Sequence, residues 1–457
     1  MEEIELGDEN ADEKEGKTPL APARGTRDFL PEEKILRDKV VDLLRSTFER
    51  YGFNPLETPA MEKWDVLASK YAGGAEILKE TYSFEDQGGR KLGLRYDLTV
   101  PLCRVVASNP SLPMPFKRYA IAPVWRDGPL KLGRYREFVQ CDVDTIGVKS
   151  GLADAEIIAL TCDAFDSLGF DYTVKVNNRK LLEGILETSG VPVAKFGGVM
   201  LTLDKLQKIG SEGVEKELLE VRELPIPIVR GLLSLLDDLA DKPPEEILKE
   251  CEKIVGKNKL GAQGLTELEE VFDFLDSFGI GNNVVVDVSL ARGLAYYTGT
   301  IFEAYLNGSE ITSSIAAGGR YDELIAKFAG REGEISAVGI SFGLDVICEA
   351  IKKGISSALV NPGQKSIADV FVIPIKTIPQ SLAVTQKLRA AGVKTAFDLV
   401  GRNISKNLDY AGKQGIKFAA IVGTKEADKN KLTLRNLETG EEKLLTLEEA
   451  VEEIQRK

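Results

Sequence analysis

The chain of 457 residues contains no histidine. At ordinary usage a chain of this length would carry on the order of ten, so chance is a poor explanation. The chemical consequence is firm: there is no Ser-His-Asp triad, no histidine-ligated metal and no imidazole general base. Any catalysis must run on carboxylates, arginines, hydroxyls or the substrate itself. Cysteine is scarce as well. Cys103, Cys141, Cys162, Cys251 and Cys348 are scattered, with no CxxC pair. This argues against a zinc site or a disulfide framework and suits a reducing compartment, the cytoplasm. No apolar run reaches the ~18 residues that a membrane-spanning helix needs, so no membrane partner is expected. Residues 1–18 hold eight acids against Lys14 and Lys17. That is the reverse of a signal or transit peptide and reads as a disordered acidic tail.

What is present is globular. Hydrophobic content is 43% and charged content 29%, and the length suits two or three domains. The net charge of −13 discourages a nucleic-acid partner for the chain as a whole. Residues 366–431, however, hold eleven Lys/Arg against five Asp/Glu, a local balance of +6. A basic module inside an acidic protein is a specific electrostatic arrangement.

Periodicity divides the chain. Apolar residues at helical spacing predict an amphipathic helix over 31–51, ended by Gly52, and "NPLETPAME" follows as an edge strand. Residues 81–147 alternate like strands of an antiparallel sheet, with a hairpin turn at 87–89 and a longer loop at "DGPLKLG". A helix is expected over "ADAEIIALTCDAFDSLGF", then a strand leading into another helix. Residues 190–280 read as a helical insertion. Strand character returns in "NNVVVDVSLARGLAYYTGTIFEAYL" and "SSIAAGGRYDELI". After a linker at 356–366, strands and helices alternate in the βα manner and predict an α/β domain over 367–457. Residues 19–355 are thus expected to form one α+β domain: an antiparallel sheet with flanking helices, interrupted by the insertion.

Three segments carry candidate chemistry. In "GRYREFVQCDVDTIG", one strand face reads Arg134, Arg136, Phe138, Gln140, Asp142, Asp144. Such a graded face suits a ligand that is anionic at one end, flat in the middle and cationic or hydrogen-bonding at the other. Arginines fork onto phosphate oxygens, and an aromatic ring stacks on a base. A solvent-facing sheet with chance charge order is the plainer alternative. In "RYDLTVP", Asp97 and Thr99 share a strand face and both suit an ammonium group. In "ARGLAYYTG", Arg292 lies just past an apolar strand with Tyr296 and Tyr297 close behind. Adjacent tyrosines on a strand face opposite ways, which leaves core packing open for one of them. The Gly-rich "AAGGRYD" is neither GxGxxG nor GxxxxGK[ST], so it is not a phosphate loop of either type.

Taken together and in this order, the segments resemble the class II histidyl-tRNA synthetase family from about residue 24 to the end. "ARGLAYYTG" and "AAGGRYD" resemble its two histidine-specific signatures. "VWRDGPLKLGRYREFVQCDVD" resembles class II motif 2, "SAVGISFGLDVI" motif 3, and the first helix with "ETP" motif 1, the dimer-forming element. The last ninety or so residues resemble the anticodon-binding domain. The resemblance implies a ligase that joins L-histidine to ATP as histidyl-adenylate and passes it to histidine tRNA. ATP would be a substrate with Mg2+ carried on it, and no prosthetic group or protein metal site is implied.

By the same resemblance, Arg126 and Arg292 would be catalytic. Arg126, Arg134 and Arg292 would hold ATP, and Phe138 would stack on adenine. Asp97 and Thr99 would bind the α-ammonium of histidine, Gln140 would orient the amino acid, and Asp144 with Tyr297 would read the imidazole; Leu98 and Tyr296 complete the histidine-binding set. Lys387, Arg389, Lys394, Arg402, Lys406 and Lys413 are candidate tRNA contacts. The chain departs from the family pattern in three places. Val346 stands where motif 3 ends in an arginine, Gly128 where motif 2 carries an acid, and Ala295 where an aspartate is common. The alternative reading is a silent synthetase-like regulatory or tRNA-sensing protein. A regulatory subunit of ATP phosphoribosyltransferase would lack the basic C-terminal module.

Overall fold

The computed structural model describes residues 20–68, 78–130, 135–240, 242–281, 283–291, 296–357 and 363–456. The acidic tail, much of the expected linker, Arg134, Arg292 and Ala295 lie outside these residues. The chain divides into two compact units, residues 1–27 with 40–358, and 28–39 with 359–457.

Among the described residues, the first unit holds a sheet of eight strands. In chain order these are β1 (Asn54–Pro55), β5 (Phe116–Trp125), β6 (Glu137–Ile146), β7 (Tyr172–Asn178), β8 (Val284–Val286), β9 (Thr300–Leu306), β10 (Ala316–Arg320) and β11 (Ala337–Gly343). Their spatial order is β1-β5-β6-β11-β10-β9-β7-β8. The six central strands pair antiparallel, as expected, but both edges are parallel: β1 runs with β5, and β8 with β7. β8 comes back from a helical excursion, so it can enter alongside β7 in the same direction. That excursion contains the helices Phe196–Leu203, Leu206–Glu220, Ile226–Leu239, Pro244–Val255 and Lys259–Ser277.

The expected single sheet over 81–147 is instead split. β2 (Met61–Lys63), β3 (Ser83–Glu85) and β4 (Lys91–Leu94) form a small separate sheet. Its hairpin is closed by Asp86 Oδ1, which accepts from the backbone N–H of Gly88 and Arg90, both at 2.9 Å. "RYDLTVP" is not a strand either. Residues 95–98 form a bend and Thr99–Ser108 is a helix. The β-branched Thr99 and Val100 favour a strand locally, but the Asp97 carboxylate overrides them. Its Oδ1 accepts from Thr99 N at 3.1 Å and Val100 N at 2.9 Å, satisfying two orphan donors of the first turn.

Arg320 of "AAGGRYD" binds the back of the sheet to the helix Leu152–Ser167. Its guanidinium pairs with the fully buried Asp154 and donates to the carbonyls of Val148 and Ser150. This motif is therefore strand and anchor, as its lack of a phosphate-loop pattern suggested.

The second unit carries a five-stranded sheet. Its strands are β12 (Val370–Ile375), β13 (Thr395–Phe397), β14 (Phe418–Gly423), β15 (Leu432–Asn436) and β16 (Glu442–Leu445), ordered β13-β12-β14-β15-β16. The first three pair in parallel and the last two antiparallel. β12 buries alternate residues on both faces: Val370 and Val372 in one apolar cluster, Phe371 and Ile373 in the other. Covering helices on both sides explain its unbroken apolar run.

Candidate active site

β6, β11 and β10 floor a cavity of about 150 Å³. Segments far apart in sequence meet there. Gln140, Asp142 and Asp144 reach it from β6, Asp97 and Thr99 from the bend and the start of the helix Thr99–Ser108, Arg126 from the end of β5, and Tyr296 and Tyr297 from the chain before β9. The graded strand face is thus half confirmed as a cavity wall. Arg136 lies nearer the loop and pairs with Asp127 at 3.1 Å. Arg134 and Arg292 are not described.

Asp144 is the most constrained acid. Arg118, cross-strand to it on β5, is 1% exposed and places Nη2 2.7 Å from Asp144 Oδ2. Tyr321 O–H donates to Oδ1. Burial pushes the Asp144 carboxyl up, and the Arg118 charge with the Tyr321 hydrogen bond opposes it. The Tyr321 hydroxyl is pushed well above its ordinary value by burial and by the Asp144 charge, so it stays a donor. Gly339, opposite Asp144 on β11, leaves the room: a Cβ there would lie 2.0 Å from Asp144 Oδ1. On β10, a Cβ at Gly319 would come 2.9 Å from the Tyr297 ring. The glycines of these strands are flat floor rather than turn.

Gln140 donates from Nε2 to Ser341 Oγ at 2.7 Å, which leaves its buried Oε1 without a partner. Burial also pushes Asp97 up, opposed by the two capping N–H groups and by Arg126 and Arg118. Leu98 is buried. Its carbonyl accepts from Arg118 Nη2 at 3.3 Å, so it acts through its backbone. Arg126 contacts two rings, 4.2 Å from the centroid of Tyr96 and 4.9 Å from that of Phe138, and its Nε donates to Tyr96 O. Such a stacked guanidinium is pre-organised to fork onto an anion.

Tyr296 and Tyr297 are not on a strand. Their rings lie 4.7 Å apart and both line the cavity, so the opposite-faces rule for strands does not apply. Three residues carry more weight than the sequence suggested: Arg118, Tyr321 and Asp142. The first had a signal, since a lone arginine inside the apolar alternation of "RYAIAPVW" needs a buried acid across the sheet.

Two of the departures have structural counterparts. At Gly128 a Cβ would lie 3.1 Å from Glu80 Oε1, so a carboxylate reaches that position from elsewhere in the chain. Beside Val346, Asp345 accepts from Val139 N at 3.3 Å and lies 3.5 Å from Arg27, whose guanidinium stacks on Tyr135. Among the described residues no group of three or more cysteines, aspartates or glutamates could cage a metal ion.

In the second unit the six candidate basic residues fall at two opposite ends. Arg402 and Lys406 lie around the start of the helix Ile404–Lys413, beyond the carboxyl end of β13. Lys387, Arg389, Lys394 and Lys413 lie towards the other end, at the last turns of their helices or before β13. Arg389 donates to Thr395 O, and Lys413 pairs with Asp409.

Comparison with known proteins agrees with this geometry. Residues 25–347 match the family described as histidyl-tRNA synthetase, and residues 369–457 match an anticodon binding domain. Histidine–tRNA ligase 1 of Bacillus cereus is 45% identical over 426 residues, covering 92% of this chain and 96% of the relative. Histidine–tRNA ligase of Aeropyrum pernix is 40% identical over 444 residues, covering 95% and 98%. The crystal structure of histidyl-tRNA synthetase from Nostoc sp. superposes with a TM-score of 0.84 at 32% identity, covering 96% of this chain and all of that one.

Proposed function

Because the chain belongs to the histidyl-tRNA synthetase family, we propose that the cavity over β6 and β11 is where L-histidine meets ATP. The chain is an ATP-dependent ligase that charges histidine tRNA. Family membership carries that activity. The observation that carries the site is the convergence of Asp97, Arg126, Gln140, Asp144, Tyr296 and Tyr297 on one cavity.

The histidine carboxylate attacks the α-phosphorus of ATP, the bond to the β-phosphate oxygen breaks, and pyrophosphate leaves. No proton moves in this step, so an enzyme without histidine needs no base for it. Arg126, in contact with Tyr96 and Phe138, offers its charge to the phosphates, with Arg134 and Arg292 assigned the same duty by the family pattern. Phe138, beside Arg126, is assigned by the family pattern to stack on adenine. Asp97 and Gln140 accept from the ammonium, with Thr99 lining the same part of the cavity. Asp144 keeps lone pairs beyond those used by Arg118 and Tyr321, and one of them accepts from an imidazole N–H. Magnesium would arrive on the nucleotide phosphates and neutralise their charge, since Mg2+ commonly keeps its waters and few protein ligands. The ribose hydroxyl of the tRNA end then attacks the activated carbonyl, the bond from that carbonyl to the phosphate oxygen breaks, AMP leaves, and a phosphate oxygen of the adenylate takes the hydroxyl proton.

ATP–pyrophosphate exchange, followed by charging of a histidine tRNA transcript, tests this. Exchange that depends on histidine and on no other amino acid is expected. Histidine or tRNA binding without exchange would establish the silent-sensor alternative instead. The motif 1 resemblance supports a homodimer, and an active monomer at micromolar concentration in sedimentation would reject it. All five cysteines are buried free thiols and no described helix is long and apolar enough to cross a membrane, in keeping with a cytoplasmic site of action.

Gly339→Ala tests the floor. The added methyl cannot fit beside Asp144 without moving β11 or the carboxylate. A loss of about 1–3 kcal/mol of stability is expected, with a raised histidine KM. Normal melting and normal KM would mean that the strands separate without cost.

A further inference from the structure

Asp142 is the cavity-lining acid to which the family pattern gives no role. It sits on β6 between Gln140 and Asp144, with Ala120 across the sheet on one side and Ser341 on the other. It is 3% exposed, and its Oδ1 has no hydrogen-bond partner. Two residues along the same strand face, the buried Gln140 Oε1 is also unpartnered. Buried acceptors left unmatched are costly, and each asks for a donor. An ammonium group brings three N–H donors. Asp97, Gln140 Oε1 and Asp142 Oδ1 supply three acceptors on one cavity.

Resting on the reading of the cavity as the histidine site, we propose that Asp142 is a further substrate-binding residue, accepting a hydrogen bond from the α-ammonium of histidine. It completes a cradle with Asp97 and Gln140, while Asp144 is left to the imidazole. In the free protein burial pushes the Asp142 carboxyl up to about 7. The groups facing it are Arg118 on β5, which opposes the rise, Asp144 on its own strand and Asp97 from the bend, which add to it, Ser341 on β11, whose hydrogen bond opposes it, and Arg95, whose guanidinium also feels the Asp142 charge. An ammonium placed against it favours the carboxylate. Histidine binding therefore favours release of the proton that burial holds on Asp142, so this group's share of the affinity rises with pH.

The test compares full-length wild type with Asp142→Asn by calorimetry near pH 7, in buffers of different ionisation enthalpy. Proton release by the ligand's own imidazole is common to both proteins and cancels in the difference. The variant is expected to bind histidine and histidinol about 10- to 100-fold more weakly and to lose the Asp142 share of the proton release. The KM for ATP should be unchanged. Imidazole-propionate, which has no ammonium, should inhibit exchange equally in both. Removing a buried acid should leave the melting temperature the same or higher. Histidine affinity within about twofold of wild type, or proton release unchanged, overturns the proposal. So does an equal loss for imidazole-propionate, which would place Asp142 at the ring. If wild type itself fails to bind histidine, the reading of the site falls first and the proposal with it.

Discussion

Replacing Asp144 with alanine should cost the first unit about 3–5 kcal/mol of stability and abolish histidine-dependent exchange, because it strands a buried guanidinium. Arg118 is 1% exposed, and its Nε and Nη1 already lack partners. Its Nη2 contacts Asp144 and the Leu98 carbonyl. Without the carboxylate the charge stays in a low-dielectric site with one carbonyl as its hydrogen-bond partner. The double variant Arg118→Met with Asp144→Ala removes both charges. Buried pairs replaced by apolar groups are often neutral or better, so most of the lost stability should return. Exchange should not return, since the acceptor for the imidazole is still missing. Melting and exchange measured on the single and double variants separate folding from recognition. A single variant that melts within about 1 kcal/mol of wild type would mean that Asp142 or Asp97 takes over Arg118. Exchange restored in the double variant would mean that Asp144 acts only by neutralising Arg118.

What was legible in the sequence follows from how local each signal is. The alternation in "REFVQCDVD" was read correctly because β6 has one face on the cavity and the other in the core, which is the condition for period-two patterning. The helices of the insertion and the βα order of the second unit were legible for the same reason. "RYDLTVP" was misread because propensity alone sees Thr99 and Val100, whereas the outcome is set by an Asp97 side chain capping the next turn. The parallel edges of the large sheet were out of reach, since they depend on where β1 and β8 return after long excursions. In the site, the residues proposed to touch the ligand are legible by their chemistry. Those that hold them are not. Tyr321 and Gly339 matter only through contacts with Asp144 across 177 and 195 positions of chain, and no spacing rule reports that.

Charge reversal at Arg402 and Lys406 together should lower charging of histidine tRNA on the order of 100-fold, leaving pyrophosphate exchange untouched. The same reversal at Lys387 and Lys394 should change charging by no more than about threefold. The distinction comes from the direction of the parallel strands. In open α/β sheets ligands settle outside the carboxyl ends of the strands. Here that end carries Lys376 after β12, Arg402 and Lys406 after β13, and Lys425 after β14. Between them the loop after β13 holds Leu399 and Val400 at 89% and 71% exposure, a placement with no folding benefit and a ready apolar surface for unstacked bases. Asp398 braces the loop, accepting from the backbone N–H of Val400, Gly401 and Arg402, and Arg402 stacks on Tyr410 at 4.5 Å. Asn403 caps the following helix by accepting from Lys406 N, which turns the positive end of that helix towards the same surface. At the far end Arg389 is spent on the Thr395 carbonyl and Lys413 on Asp409. Charging and exchange rates for the two double variants, at two salt concentrations, decide the matter. Loss confined to the Lys387 and Lys394 pair would move the RNA to the opposite end of the sheet. Equal loss from both pairs would show that only the net charge of the unit counts, with no oriented surface.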